Sequence, residues 1–187
     1  MSVSVNRAKR VAKSEWLSLA LEILATEGLG GIRIERIARD LKVSKSGFYW
    51  HFKNREDLLN QMLDYWTYEY TTVIPQNAEL QTMEPKLRLE KIMTIVRDFH
   101  LAKYDLAVRA WAETDELAKN ALKKVYKARL EVIGNAFKEL GFKGEELEMR
   151  TRTFVCYHSW ESSMLWSDSK RKSNRLIKTR HRMLTKK

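Results

Sequence analysis

The sequence predicts an all-α fold in two parts: a small N-terminal unit built on a helix-turn-helix, and a larger helical unit after it. Three observations carry this. Apolar residues recur at i, i+3, i+4 and i+7 along most of the 187 residues, with no alternating run of the kind a half-buried strand needs. Only two prolines occur, Pro75 and Pro85, and they flank one polar stretch that reads as the main loop. Charge is divided unevenly: residues 1–55 carry a net +6, residues 56–169 a net −4 and residues 170–187 a net +9. The expected organisation is therefore residues 1–55, residues 56–169 and a basic tail, residues 170–187.

The first helix runs from Trp16 to Gly28, with Leu17, Ala20, Leu21 and Leu24 as its apolar stripe and the glycine as its stop. Ile34, Ile37, Ala38 and Leu41 give a second, short amphipathic helix. Lys42 and Val43 make a tight connection. Ser44 then reads as an N-cap, its hydroxyl placed to accept from the first free amides of a third helix starting at Lys45. Phe48 and Phe52 point inward from that helix, leaving Lys45, Ser46, Tyr49 and Trp50 on the outside. Two helices joined so closely, the second with a basic and aromatic outer face, suit entry into a DNA major groove: Lys45 and Ser46 toward bases or phosphates, Tyr49, Trp50 and His51 toward flanking backbone or thymine methyls. Gly47 costs about 1 kcal/mol of helix propensity, which suggests a use for close approach at that point. The spacing alone fits an ordinary helical hairpin with a solvated basic surface equally well.

The run Val43, Ser44, Phe48, Tyr49, His51, Phe52, Arg55, Glu56, Leu58 and Leu59 resembles the signature of the TetR (tetracycline repressor) family of one-component bacterial regulators. That resemblance implies DNA contact by the helix 45–51, phosphate contact by Tyr49 and His51, and a basic anchor from Arg55. Arg33 stands where the family commonly has a threonine that caps its second helix and touches phosphate, so the cap is lost and a charged contact takes its place. The expected DNA-binding set is thus Arg33, Ser44, Lys45, Ser46, Tyr49, Trp50, His51 and Arg55. An N-terminal arm with Arg7, Lys9, Arg10 and Lys13 either reaches DNA or is a solvated tail. The partners implied are double-stranded DNA bearing an inverted repeat, a small-molecule effector and a second copy of the chain, in a repressor that the effector releases.

Asn54 and Asp57 form a capping-box pattern for a long fourth helix, with Leu59, Met62, Leu63, Trp66 and Tyr70 as its stripe. Downstream, Ile92, Ile95, Val96 and Phe99 make one helical face. A second runs through Ala118, Ala121, Leu122, Val125, Val132, Ile133, Phe137 and Leu140 and is closed by Gly141. Large aromatics abound here, mostly as core. The residues expected to line an effector pocket are Trp66, Phe99, His100, Tyr104, Trp111 and His158, the histidines and Tyr104 supplying its few polar groups. Between Glu145 and Trp166 there are two apolar faces, and the one with Tyr157, Trp160 and Met164 is expected to meet a second copy, as dimerisation in the family implies. In residues 170–187 the apolar residues Leu176, Ile177, Met183 and Leu184 look too sparse for a strong amphipathic helix. A solvated tail is the plain expectation there, and supplementary contact with DNA or an acidic surface the sharper one.

Composition narrows the field further. With 44% hydrophobic residues the chain has enough for real cores. A single cysteine, Cys156, fits a reducing compartment and reads as a buried, inert thiol. No apolar run approaches membrane-spanning length, and the N-terminus lacks the apolar core of a signal peptide, so a soluble cytoplasmic protein is expected. The four histidines are dispersed and no nucleophile elbow or phosphate loop is present; neither catalysis nor a metal or cofactor is expected. Two other readings remain open: a nucleic-acid packaging protein without a regulatory role, and a helical binding module that has lost operator recognition.

Overall fold

The structure, a computed structural model, describes residues 11–73, 76–164 and 168–186. The described residues form helices and turns with no strand. Contacts divide the chain into two units, Met1–Trp66 and Thr67–Lys187. The division falls later than the charge distribution suggests. Its cause is the apolar stripe of the fourth helix, whose Leu58, Met62 and Leu63 are buried in the first unit.

In that unit, α1 (Lys13–Glu27), α2 (Ile34–Asp40), α3 (Lys45–Phe48) and the start of α4 (Arg55–Tyr68) surround an aromatic cluster. The Trp16 ring meets Phe48 edge-on at 5.7 Å and Phe52 at 6.5 Å, and Phe48 and Phe52 lie 5.1 Å apart. The helix α1 starts where Glu15 reaches back to the Ala12 amide (2.8 Å) and stops at Gly28, whose φ of 72° suits a residue without a Cβ. At the end of α2, the Lys42 amide donates to the Arg39 carbonyl and the Val43 amide to that of Ala38. This is a Schellman turn, with Lys42 at φ 59° in the left-handed place that glycine usually takes. Asn54 accepts from the Asp57 amide (2.9 Å), while Asp57 reaches the Lys53 amide (2.8 Å), a capping box displaced by one residue on its return arm.

In the second unit α4 ends in a π turn (Glu69–Val73). There follow α5 (Ala78–Thr82), α6 (Pro85–Asp98), α7 (Ala102–Ala112), α8 (Glu116–Glu139), α9 (Gly144–Trp160), a 3-10 turn (Glu161–Met164) and α10 (Lys170–Thr185). The stretch expected to be loop before Pro85 contains α5, capped by Asn77 on the Leu80 amide (3.0 Å). Two more Schellman turns end α6 and α8, with His100 (φ 50°) and Gly141 (φ 89°) in the left-handed position. The first turns Phe99 out of the face it was expected to share with Ile92, Ile95 and Val96 and leaves it 68% exposed. The core of this unit joins Leu89 and Met93 of α6, Ile133, Ala136 and Phe137 of α8, Phe142, Phe154 and Val155 of α9 and its entry, and Ile177 of α10.

Two further expectations are corrected. Residues 170–185 are a packed helix, not a solvated tail: Ile177, His181 and Thr185 are buried, and α10 lies on α6. Long basic side chains hid that pattern, because three buried positions on one side suffice to seat a helix whose other side is largely charged. Cys156, expected to be buried, is exposed on the outward side of α9.

Candidate nucleic-acid interface and effector cavity

The outward face of the first unit centres on α3. Phe48 anchors this single turn of helix, and the chain continues through a turn at 49–51 in which the Tyr49 amide bonds the Ser46 carbonyl (3.2 Å) and the His51 amide that of Phe48 (2.9 Å). With Phe48 fully buried, Tyr49 and Trp50 are forced outward, and they are 56% and 82% exposed. Lys45, Ser46 and Arg33 are exposed beside them. Lys45 Nζ donates to Glu35 Oε1 of α2 at 2.6 Å, a bond that holds the Glu35 carboxyl below its usual range. Gly47 has room for a side chain within the protein, a Cβ there lying 3.9 Å from Trp16 and Val43, so the head's own packing does not require the glycine.

Other residues of the expected set are engaged inside the unit. The Ser44 hydroxyl makes no cap; it pairs with the Ser46 hydroxyl at 2.7 Å. His51 Nε2 donates to the Val11 carbonyl at 3.1 Å, which ties the base of the N-terminal segment to the end of the turn. Arg55 donates to the carbonyls of Ile32 (2.8 Å) and Leu29 (2.7 Å), locking the start of α4 onto the turn between α1 and α2. Both were expected as phosphate contacts, and both position the fold in this structure. Arg33 precedes α2 without capping it. The arm residues Arg7, Lys9 and Arg10 lie outside the described residues; Lys13 sits in α1, its ammonium 5.5 Å from the Phe52 ring centre.

The second unit holds a partly open cavity of about 80 Å³ between α6, α7, α8 and α9. Ile92, Ile95, Val96, Val132, Ile133 and Phe154 make its apolar wall. At one side a buried Asp105 and a half-buried Arg129 form a two-pronged ion pair, the Arg129 Nη2 contact being 2.8 Å. The same guanidinium donates to the Ser159 hydroxyl (3.3 Å) and lies 4.6 Å from the Tyr70 ring centre. His158 completes the polar side. Its Nδ1 donates to the Phe154 carbonyl at 2.6 Å and its Nε2 accepts from Arg180 at 3.2 Å, so one neutral tautomer satisfies both bonds. Burial, reinforced by the Arg180 charge, pushes its pKa down to about 3.

Of the six residues expected to line a pocket, His158 does so. Trp66 belongs to the other unit, Phe99 and His100 are exposed, and Tyr104 and Trp111 sit on α7 outside the lining. Asp105, Arg129 and Ser159 were missed. The sequence holds a signal for the charged pair: each occupies an apolar phase of its helix, Asp105 with Ala102 and Val108, Arg129 with Leu122, Val125 and Ile133, and opposite charges in two facing stripes imply pairing. Among the described residues no group of three or more His, Cys, Asp or Glu is placed to hold a metal ion. No described helix is long and apolar enough to cross a membrane.

Residues 17–62 match the bacterial regulatory proteins of the tetR family. The N-terminal domain is a TetR-family domain. The class E tetracycline repressor of Escherichia coli is 34% identical over 53 residues, which cover 28% of this chain and 25% of the repressor. The chain spans about a quarter of the length of the curated relatives it matches. Among solved structures, the transcriptional regulator FadR of Bacillus subtilis, in complex with stearoyl-CoA, is similar with a TM-score of 0.66 at 16% identity, over 94% of this chain and 98% of that one. AibR, in complex with isovaleryl coenzyme A and operator DNA, gives 0.65 at 17% identity, over 92% and 97%. At such identities the likeness is one of fold. It extends beyond the TetR-family domain to the helical unit.

The expected dimer face divides as well. Tyr157 is covered within the chain, with the Arg180 guanidinium 3.9 Å from its ring centre and its hydroxyl donating to Glu161 at 3.3 Å. Trp160 and Met164 are 42% and 52% exposed. Met149, Thr153, Cys156 and Trp160, at spacings of four, three and four, extend that exposed side along α9.

Proposed function

We propose that the chain is a homodimeric transcriptional repressor of the TetR type, acting in the cytoplasm, which leaves an inverted-repeat operator when a small apolar effector fills the cavity of the helical unit. The observation that carries this reading is the face of α3. Lys45, Ser46, Tyr49 and Trp50 stand outward on a turn whose geometry the buried Trp16–Phe48–Phe52 cluster dictates. An exposure of 82% for a tryptophan has no packing rationale inside the unit, whereas stacking of an aromatic side chain against sugar or a thymine methyl gives it a use. Arg33 and Tyr49 supply phosphate contacts; His51 and Arg55 act by holding the reading turn in place. The exposed row on α9 meets its copy on the partner, with α8 and α9 of each chain forming a four-helix contact.

The effector follows from the cavity. Asp105 neutralises Arg129, so a free carboxylate finds no unpaired cation in the wall, and apart from the neutral His158, Ser159 and Tyr70 the rest is apolar. The FadR and AibR complexes hold thioesters of coenzyme A. For this chain the fitting group is a short acyl chain carried as an ester: about 80 Å³ is far below the roughly 300 Å³ at which drug-sized pockets begin.

Selection of genomic fragments followed by footprinting tests the first half. A dyad with half-sites about 34 Å apart is expected, and an asymmetric footprint overturns the dimeric reading. Titrating the operator complex with short-chain and long-chain acyl-CoA and with the free acids tests the second. A tenfold loss of affinity with the short thioester alone corresponds to about 1.4 kcal/mol of coupling, and operator then weakens thioester binding by the same factor.

A further inference from the structure

Five cations of α10, Arg171, Arg175, Lys178, Arg182 and Lys186, recur at intervals of four, three, four and four residues, which places them in one row along the helix. All five are exposed. Two other cations of the helix are engaged: Lys172 with Asp168 at 2.6 Å, and Arg180 with Glu161, His158 and Tyr157. Among the described residues no carboxylate pairs with any member of the row.

Such an arrangement works against the helix that bears it. Like charges at i, i+4 repel, and the basic first turn, Lys170 to Lys172, sits at the positive end of the helix dipole with no acidic residue among those three. What holds α10 is the opposite side. Ile177, His181 and Thr185 are buried, His181 Nε2 donates to the Lys86 carbonyl at 2.8 Å, and Arg150 of α9 caps the last turn through the carbonyls of Met183, Leu184 and Lys186. The row is therefore a rigid line of about 22 Å, presented by a firmly seated helix and unrelieved by any carboxylate among the described residues.

From this geometry we infer that α10 is a second, sequence-independent DNA-contact surface, its basic row lying against the phosphodiester backbone. The choice of DNA as the polyanion rests on the reading of the α3 face, because a chain held at DNA by its head keeps this row at high local phosphate concentration. A row of this length matches the axial rise of about six phosphates of one strand. Release of condensed counterions by five aligned cations supplies affinity without base recognition.

The test measures binding of the full chain to a duplex with no inverted repeat, between 50 and 200 mM salt, for wild type and for the combined substitution Arg171→Gln, Arg175→Gln, Lys178→Gln and Arg182→Gln. Losing four phosphate contacts lowers the slope of log affinity against log salt by about 3.6, so wild type loses roughly a hundredfold more affinity across that range than the variant. The charge-preserving set Arg171→Lys, Arg175→Lys and Arg182→Lys keeps the wild-type slope. Repeating the comparison with Lys45→Ala, Tyr49→Ala and Trp50→Ala in both proteins separates the two surfaces: the slope difference persists when operator reading is gone. Equal slopes for wild type and the glutamine variant overturn the inference. So does an unchanged DNA slope accompanied by lost binding to phosphatidylserine vesicles, which would assign the row to a membrane surface.

Discussion

The two units solve opposite problems. The N-terminal unit keeps its interior apolar and aromatic and sends its charged groups to the surface, where Lys45 meets Glu35 and Arg36 meets Glu27 and Asp40. The helical unit also takes polar groups inside, burying an aspartate and a neutral histidine, with an arginine half-buried beside them, around an internal space. A surface that reads an external polyanion needs a rigid platform, and close-packed rings give one. A unit that answers a small molecule needs internal groups whose satisfaction depends on what fills the space between them.

The largest effects should separate these two kinds of interior. Phe48→Ala removes the ring on which α3 rests and is expected to cost about 3–5 kcal/mol in urea unfolding. Asp105→Ala is expected to cost about 3 kcal/mol, because it leaves the half-buried Arg129 guanidinium without its carboxylate. The two then part company. Asp105→Leu combined with Arg129→Met should restore stability to within about 1 kcal/mol of wild type or better, since packed apolar side chains replace a buried pair without loss. A double variant as unstable as the single one would mean that the pair holds the unit together in some further way.

Next in size is a dependence on pH that belongs to the helical unit. His158 accepts a proton near pH 6.5 in an unfolded chain and only near 3 in the fold, so between those values the unfolded state binds more protons. Stability should therefore fall as the pH drops below about 6.5, by up to about 1.4 kcal/mol per pH unit from this residue. Thermal unfolding of wild type and His158→Asn across pH 4–7 checks it. The variant's profile should be flatter, and parallel profiles would remove His158 as the source.

The smallest effect sharpens the role of the platform. Gly47→Ala fits the protein, with ordinary contacts at 3.9 Å, and should raise stability by up to about 1 kcal/mol. Operator affinity should fall at the same time if the glycine serves close approach of DNA. A variant more stable and equally tight would assign the glycine no part in recognition.

The helix-turn-helix was legible because its information is local: a capping position, a three- and four-residue rhythm and two inward phenylalanines define it within twenty residues. The outward placement of Lys45, Ser46, Tyr49 and Trp50 followed from that rhythm. What escaped was non-local. Arg55 looks like a free cation until the turn at Leu29–Ile32 folds beside it and offers two carbonyls. The cavity was misplaced because aromatic residues were taken as its markers, whereas the space lies among branched aliphatics, and the sequence does not say which of many apolar side chains fail to meet. The last helix was hidden by its charge, since Ile177, His181 and Thr185 seat it although basic residues dominate its composition.

Arg150 of α9 holds the C-terminal end of α10, while along its inner side the helix's own His181 bonds Lys86 of α6 and its own Arg180 bonds His158 of α9, so that α10 is clamped at several places to different helices. Fraying from its last turn must break side-chain bonds from α9 as well as its own ladder, so its amides should exchange with solvent water through opening of the whole helix at once. Such an opening uncovers His158 and the cluster around Ile177. The exchange rate of α10 amides thus becomes a clock for access to the interior of the helical unit, and anything that occupies that interior slows the clock by the same free energy with which it binds.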